Sequence, residues 1–324
     1  SPVDPRFRKE KVKGVTAHVV RAAMLGGDEY PSTAIGINLP NADWIRARYG
    51  SKSVTISNLI GAYNEAAHGN GFKEEFIEDK AIVGFIDKYG DRCDDLHTDL
   101  HECLGHGSGR LLDGVSPDAL KTYGSTIEEA RADLFGLYYI ADKKLVELGL
   151  LDNEEAYKAS YYTYIMNGLM TQLVRIAPGN RIEEAHMRNR ALIAHWVYEH
   201  GRKDNVMEMY NHDGKTFIRI NDYDMLRELF ARLLAEVQRI KSEGDYDAAR
   251  RLVETYGVNV DKTLHEEVLQ RYSRLNLAPY KGFINPVLKL EKDNAGNITD
   301  ITVDYTEAYA EQMLRYSTDY AALI

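Results

Sequence analysis

Hydrophobic residues recur three or four positions apart along most of this chain, a pattern typical of amphipathic α-helices. Capping residues and glycines mark the ends of these segments. The predicted helices span about Phe7–Met24, Asp91–His106, Ser125–Tyr139, Glu155–Ile176, Arg181–His200, Asp222–Ser242, Asp245–Thr255 and Asp261–Leu275. A last amphipathic stretch follows at Thr306–Ile324, for which the sequence shows no partner.

Two segments alternate apolar and polar residues instead, which predicts β-strands. They form hairpins at Val206–Ile220 and Pro286–Tyr305, each around a turn rich in Asp, Asn and Gly. The chain contains no internal repeat and no low-complexity tract. The predicted fold class is therefore mainly α, a helix-dominated α+β fold with small β-hairpins.

Two short motifs carry the chemistry: HECLGH at residues 101–106 and EEARAD at residues 128–133. Two imidazoles and one carboxylate are a common protein ligand set for catalytic zinc, and they leave a fourth position for water. His101, His106 and Glu129 fill this set. The sequence therefore predicts one Zn²⁺ ion per chain, held where the two motifs meet in a helical region.

The spacing of the two histidines differs from the ordinary zinc helix. Residues at i and i+5 lie about 140° apart around an α-helix, whereas i and i+4 lie about 40° apart. For His101 and His106 to reach one metal ion, the helix must contain a wide turn with one extra residue, and such turns are frequent at functional sites. Gly105 is placed to permit this turn.

Acidic residues next to the ligands suggest further roles. Glu102 follows the first histidine and is placed to take a proton from metal-bound water. Ser125 begins a capping-box pattern, which would put Glu129 in the first turn of its helix. Glu128 and Asp133 can accept hydrogen bonds from the ligand histidines, although an exposed helix face is an equal alternative for both.

Both motifs resemble those of the dipeptidyl peptidase III family, His-Glu-x-x-Gly-His followed by Glu-Glu-x-x-Ala-Glu/Asp. Three other segments resemble family segments in the same order: Gly36–Asn41, Gly107–Gly109 and Ala185–Arg190. The resemblance covers roughly residues 30 to 305, which makes it close to chain-wide.

The resemblance implies roles for five more residues. His186 would stabilise the developing oxyanion, and Arg190, one helical turn later, would lie in the substrate cleft. Asn38 and Asn41 would hold the free N-terminus of a peptide from a connector or substrate-facing strand, and Lys289 matches a basic cleft residue. Without the resemblance, His186 would be read as an exposed polar residue and the asparagines as turn formers.

The resemblance also implies the function. The leading hypothesis is a zinc-dependent exopeptidase that releases dipeptides from the N-termini of short peptides by metal-activated water. The alternative is a zinc-holding peptide-binding or scaffolding domain with little or no turnover. An endopeptidase or another zinc hydrolase would share the metal ligands but would not need the Asn38 segment.

Proteins of the resembled family are longer than this chain. The resemblance implies that residues 1–324 are the C-terminal catalytic region of a two-lobed protein, with the helical zinc lobe at about 70–285. The segments at about 28–69 and 286–324 are expected to pack toward the other lobe. The implied partners are short peptides and this N-terminal lobe.

Composition argues against several other kinds of partner and site. The formal net charge is −10 with scattered basic residues, which argues against nucleic acid as a partner. No apolar run approaches the roughly 20 residues that span a bilayer, which argues against a membrane partner. The two cysteines, Cys93 and Cys103, form no disulfide framework and favour a cytoplasmic location. Cys103 is expected to be a buried thiol instead of a ligand, and His97 a structural or surface residue.

Overall fold

The computed structural model describes residues 1–9, 15–24, 36–39, 45, 48–277 and 284–319. The chain divides into two compact units. The larger unit consists of Ser1–Val15, Ala42–Gly50 and Gly71–Asn276, and the smaller unit of Thr16–Asn41, Ser51–Asn70 and Leu277–Ile324. The expected packing of the segments at about 28–69 and 286–324 toward another lobe remains a prediction.

Helices dominate the described residues, and the predicted helix-dominated fold is confirmed. The helices of the larger unit are Phe72–Phe76, Lys80–Leu100, Gly124–Ile140, Lys144–Glu147, Tyr157–Leu169, Ala185–Gly201, Tyr223–Glu243, Tyr246–Tyr256 and Lys262–Leu275. Helix 124–140 lies in the middle of the core, because it packs against helices 80–100, 185–201 and 223–243. Most of its side chains are buried.

Local capping explains three helix starts that the sequence predicts correctly. The carboxylates of Asp222, Asp245 and Asp261 accept hydrogen bonds from the backbone N–H groups three residues later. An aspartate at this position satisfies an amide that the helix itself leaves unpaired. The helices accordingly begin one residue after each aspartate.

The predicted helix at Phe7–Met24 is wrong. Pro5–Phe7 form a single 3₁₀ turn and Val15–Val20 form a β-strand. Valine and threonine dominate this strand, and β-branched side chains favour extended backbone. Its neighbour is Ser51–Ile56, the central strand of a three-stranded sheet whose other edge is Gly36–Leu39. The sequence pattern did not indicate strands 15–20 and 51–56, whereas strand 36–39 lies in the segment that was expected to be a connector or a substrate-facing strand.

Several predicted helices differ from the structure in a start, a cap or an end. The motif helix begins at Lys80 instead of near Asp91, because Asp79 caps it. Helix 124–140 follows a 3₁₀ turn and has no side-chain cap, so the predicted capping box at Ser125 is absent and Glu129 lies in the second turn. The predicted helix 155–176 breaks at Met170, beyond which a 3₁₀ segment continues.

Both predicted hairpins are confirmed, as strands Met207–His212 with Lys215–Ile220 and Val287–Lys292 with Ile298–Asp304. The C-terminal helix is Tyr309–Asp319, and it packs on helix Ser57–Ala67 in the smaller unit. The rings of Tyr63 and Tyr309 lie 6.1 Å apart at this contact. The C-terminal helix therefore has a partner, helix Ser57–Ala67, which the sequence did not predict.

Candidate metal centre

The motif helix changes its winding where the two histidines lie. Helix 80–100 is α-helical, and residues His101–His106 form one turn of π-helix. This confirms the predicted wide turn. The extra residue rotates the i+5 position back toward the i position, so that both imidazoles point to the same side of the helix. Their Nε2 atoms lie 3.1 Å apart.

Gly105 is required for a different reason from the one that its spacing suggests. Its backbone does not have the positive φ that favours glycine. Instead, a Cβ atom at this position would lie 2.6 Å from Cα and 2.8 Å from Cβ of Ala132 on helix 124–140. The glycine therefore allows the turn that carries the histidines to lie against the helix that carries Glu129.

We expect Gly105→Ala to lower the free energy of unfolding by about 1–3 kcal/mol, the usual cost of forcing extra volume into a packed contact. Zinc affinity should fall with it, because the two helices must separate. Thermal unfolding and zinc titration measure both effects. Gly84→Ala is the matched control, since no atom lies within 4 Å of a Cβ placed there, and it should be neutral or slightly stabilising. Equal behaviour of the two variants would contradict the steric argument.

Three side-chain atoms converge beside the wide turn. Oε2 of Glu129 lies 3.4 Å from Nε2 of His101 and 3.7 Å from Nε2 of His106. Ligand atoms about 2.0–2.1 Å from a tetrahedral zinc ion are about 3.3 Å from each other. The three observed separations are therefore close to three edges of a zinc coordination tetrahedron.

The hydrogen bonding of this cluster also fits a cation. Oε2 of Glu129 is buried and has no hydrogen-bond partner among the described residues. A buried carboxylate oxygen of this kind is costly unless something positive satisfies it. Burial alone would raise the pKa of Glu129, but its contacts with His101, His106 and His186 outweigh burial and lower that pKa. The carboxylate is therefore held as an anion that faces two imidazole nitrogens.

Asp133 lies behind His101. Nδ1 of His101 is 2.6 Å from Oδ1 of Asp133, and Nε2 of His97 is 3.3 Å from the same oxygen. Oδ2 accepts from the Tyr164 hydroxyl at 2.8 Å and from Nδ2 of Asn189 at 3.0 Å. Four donors thus occupy the whole carboxylate. Because this anion can only accept, Nδ1 of His101 carries a proton, and Nε2 is the ring nitrogen that remains for a metal.

Glu128 lies behind His106 in the same manner. Its Oε1 is 2.8 Å from Nδ1 of His106 and accepts from the Arg131 guanidinium at 2.7 Å. Its Oε2 accepts from Nε of Arg131 at 3.0 Å and from the Lys241 ammonium. Burial alone would raise the pKa of Glu128, but Arg131 and Lys241 outweigh it and hold that pKa well below its usual range.

The buried anions also act on His101. Burial by itself would lower its pKa, but hydrogen bonds to Asp133 and Glu129 raise it to about 10. The protonated ring is thus stabilised by the same negative charges that would otherwise face a metal. A divalent cation and a proton on Nε2 therefore satisfy the same anionic cluster, which is typical of metal sites.

His186 lies next to the three-atom cluster. Its Nε2 is 3.4 Å from Oε2 of Glu129, and its Nδ1 is 2.8 Å from Glu184, the residue that caps helix 185–201. Arg190 follows one turn later and is half-buried, and its side chain forms no hydrogen bond or ion pair among the described residues. Glu102 is half-buried within the wide turn itself.

The family resemblance also gives substrate roles to Asn38, Asn41 and Lys289. Asn41 and the side chain of Asn38 lie outside the described residues, although the backbone of Asn38 pairs with Ser53 in the three-stranded sheet. Lys289 is 62% exposed on its hairpin and forms an ion pair with Asp304 at 2.5 Å. All three residues belong to the smaller unit, and their roles stay predictions.

Sequence reasoning missed several residues that hold the cluster together. His97 was expected to be a structural or surface residue, and it is structural because it contacts Asp133; it lies one turn before His101, a spacing that was visible in the sequence. Arg131 lies three residues after Glu128 and had the same kind of signal. Tyr164, Asn189 and Lys241 come from three other helices, so no local pattern indicated them. Cys103, expected to be buried, is half-buried.

This chain is similar in sequence and in structure to known proteins. The sequence profile of Peptidase family M49 matches residues 29–122 and 115–296. Dipeptidyl peptidase 3 from Rattus norvegicus is 27% identical in an alignment 316 residues long that covers 83% of this chain and 42% of that protein. The structure of DPP III from Caldithrix abyssi matches 83% of this chain and 49% of its own, with a TM-score of 0.63 and 23% identity. Dipeptidyl-peptidase III from Corallococcus sp. strain EGB gives a TM-score of 0.64 at 23% identity, over 85% and 48% of the two chains.

The chain therefore belongs to peptidase family M49, and the resemblance to the dipeptidyl peptidase III family is confirmed. The two solved structures show that it shares their fold. The chain spans less than half the length of the rat relative. Among the described residues, no helix has both the length and the apolar character needed to cross a membrane.

Proposed function

We propose that this chain carries the zinc centre of a peptidase that releases dipeptides from the N-termini of short peptides. The observation that supports this most is that His101, His106 and Glu129 bring one ligand atom each to the same place, with a fully hydrogen-bonded carboxylate behind each histidine. Two imidazoles and one carboxylate with an open fourth position are the ligand set of a catalytic zinc, whereas structural sites are closed.

In this proposal, His101, His106 and Glu129 would hold a zinc ion, which would supply Lewis acidity that lowers the pKa of water and polarises a scissile carbonyl. Glu102 removes the proton from the attacking water and delivers it to the leaving amine. His186 in its imidazolium form donates from Nε2 to the oxygen of that carbonyl as negative charge develops, and it donates from Nδ1 to Glu184, which fixes the ring. Arg190 offers a free guanidinium to the substrate backbone.

The exopeptidase part of the proposal comes from the family. The rat relative is named dipeptidyl peptidase 3, and the Asn38–Asn41 segment matches the family segment that holds the peptide N-terminus. In this proposal the remainder of a longer protein, with a further lobe, completes the peptide cleft.

Elemental analysis combined with peptide hydrolysis tests the proposal. We expect about one zinc ion per chain and release of dipeptides from a free peptide but not from its N-acetylated form. Cleavage of both forms would indicate an endopeptidase. Zinc without turnover of either form would favour the peptide-binding alternative, and absence of zinc would overturn the proposal.

A further inference from the structure

The two carboxylates behind the histidines are held by donors of different charge. Asp133 receives hydrogen bonds from two imidazoles, a phenol and an amide, all of which can be neutral. Glu128 receives three of its four hydrogen bonds from permanent cations, namely two from Arg131 and one from Lys241. The two histidines are thus supported in different ways.

Arg131 is a fixed part of the protein interior. Its side chain is 1% exposed, and it also donates to the Ser108 carbonyl at 3.1 Å and to Gln238 at 3.3 Å. Its bidentate contact defines the plane of the Glu128 carboxylate. Lys241 reaches the same carboxylate from the last turn of helix 223–243, where its side chain is 22% exposed.

The four contacts fill both oxygens of Glu128. A carboxylate offers about four lone-pair sites, so no further donor is needed and rotation about the carboxyl group would break several charged hydrogen bonds at once. Nδ1 of His106 shares Oε1 with Arg131. The direction of the His106 ring, and hence of Nε2, therefore follows the position of the carboxylate.

We propose that Arg131 and Lys241 are positioning residues that lock the Glu128 carboxylate and thereby aim Nε2 of His106 at the metal. The inference rests on the proposed function only in that the centre binds zinc. It assigns a task in metal retention to Lys241, a residue on a helix that contributes no ligand. Helix 223–243 is thus coupled to the zinc site through the Lys241 ammonium group and through the contact of Gln238 with Arg131.

The rate of zinc loss to an excess of chelator tests this proposal in the zinc-loaded protein. Lys241→Met keeps the length of the side chain and removes its charge. A positioning role predicts that zinc dissociates about 3–10-fold faster, at the low end of what outer partners of a metal ligand contribute. A purely electrostatic role predicts the opposite, because loss of a nearby positive charge retains a divalent cation more tightly.

Two further variants complete the comparison. Lys241→Arg should restore slow dissociation, since it can still donate to Glu128. Arg239→Met removes the same charge from the same end of the helix, but its partners are Glu236, Glu243 and Asp245, so zinc loss should not accelerate. Thermal unfolding of the metal-free proteins verifies that each variant is folded.

A second readout follows the geometry directly. The visible spectrum of the cobalt-substituted protein reports the ligand arrangement, and we expect it to change in Lys241→Met and not in Arg239→Met. Unchanged or slower zinc loss with an unchanged spectrum would overturn the proposal while leaving the peptidase assignment intact. Failure of the unmodified chain to bind zinc would overturn both, and zinc binding without peptide hydrolysis would remove the peptidase function alone.

Discussion

We expect Glu102→Gln to lower kcat by about 10²- to 10⁴-fold, the usual contribution of a general acid–base group, while zinc stays bound. The substitution keeps the shape of the side chain but removes its ability to accept a proton. Glu102 lies in the wide turn between the two histidines and is half-buried, so it borders the ligands without being one of them. Loss of turnover without loss of metal is the result that distinguishes a base from a ligand.

Zinc content and steady-state hydrolysis of a dipeptidyl substrate measure the two effects on the same preparation. Glu183→Gln is a suitable control, because Glu183 is an exposed carboxylate before helix 185–201 and has no assigned role. It should leave both zinc and kcat unchanged. Turnover of Glu102→Gln close to that of the unmodified protein would exclude the role as base, and loss of zinc would show that Glu102 supports the metal.

Local chemistry accounts for the parts of the fold that the sequence predicted well. An aspartate such as Asp222 caps a helix through amides within its own first turn, so the signal and the structure lie together. The wide turn is also local, because the i, i+5 spacing of His101 and His106 can only meet one metal if the helix is widened there.

Long-range contacts account for what the sequence did not reveal. Val15–Val20 is a strand because Ser51–Ile56 lies beside it, and the two are far apart in the chain. Gly105 appeared to be a source of backbone freedom, whereas its role depends on Ala132 in another helix. Lys241 is more than a hundred positions from Glu128, so its contact could not be read from spacing.

The difference between the two backing carboxylates leads to an ordering of mutations. We expect Glu128→Gln to weaken zinc binding by about 100-fold and Asp133→Asn by only about 10-fold, the two ends of the range for such partners. Arg131 and Lys241 can only donate, so they cannot turn to accept from the amide that Glu128→Gln introduces. The side chain of Arg131, which is almost completely buried, would then face an N–H group and lose the negative charge that balances it.

The donors around Asp133 can adapt. The Tyr164 hydroxyl can accept as well as donate, and Oδ1 of Asn189 is buried without a partner among the described residues, so a flip of its amide would present an acceptor. Asp133→Asn can therefore keep its oxygen toward His101 and still satisfy its new N–H groups.

Unfolding of the metal-free variants separates stability from metal binding. Glu128→Gln should cost about 3–5 kcal/mol, as expected when a buried charge loses its partner, and Asp133→Asn about 1 kcal/mol, the value of an ordinary hydrogen bond. Denaturant titration measures the free energy of unfolding, and competition with a chelator measures the zinc affinity. Equal losses of stability and zinc affinity in the two variants, or larger losses in Asp133→Asn, would contradict this argument. They would show that the position of His106 does not depend on donors that cannot change direction.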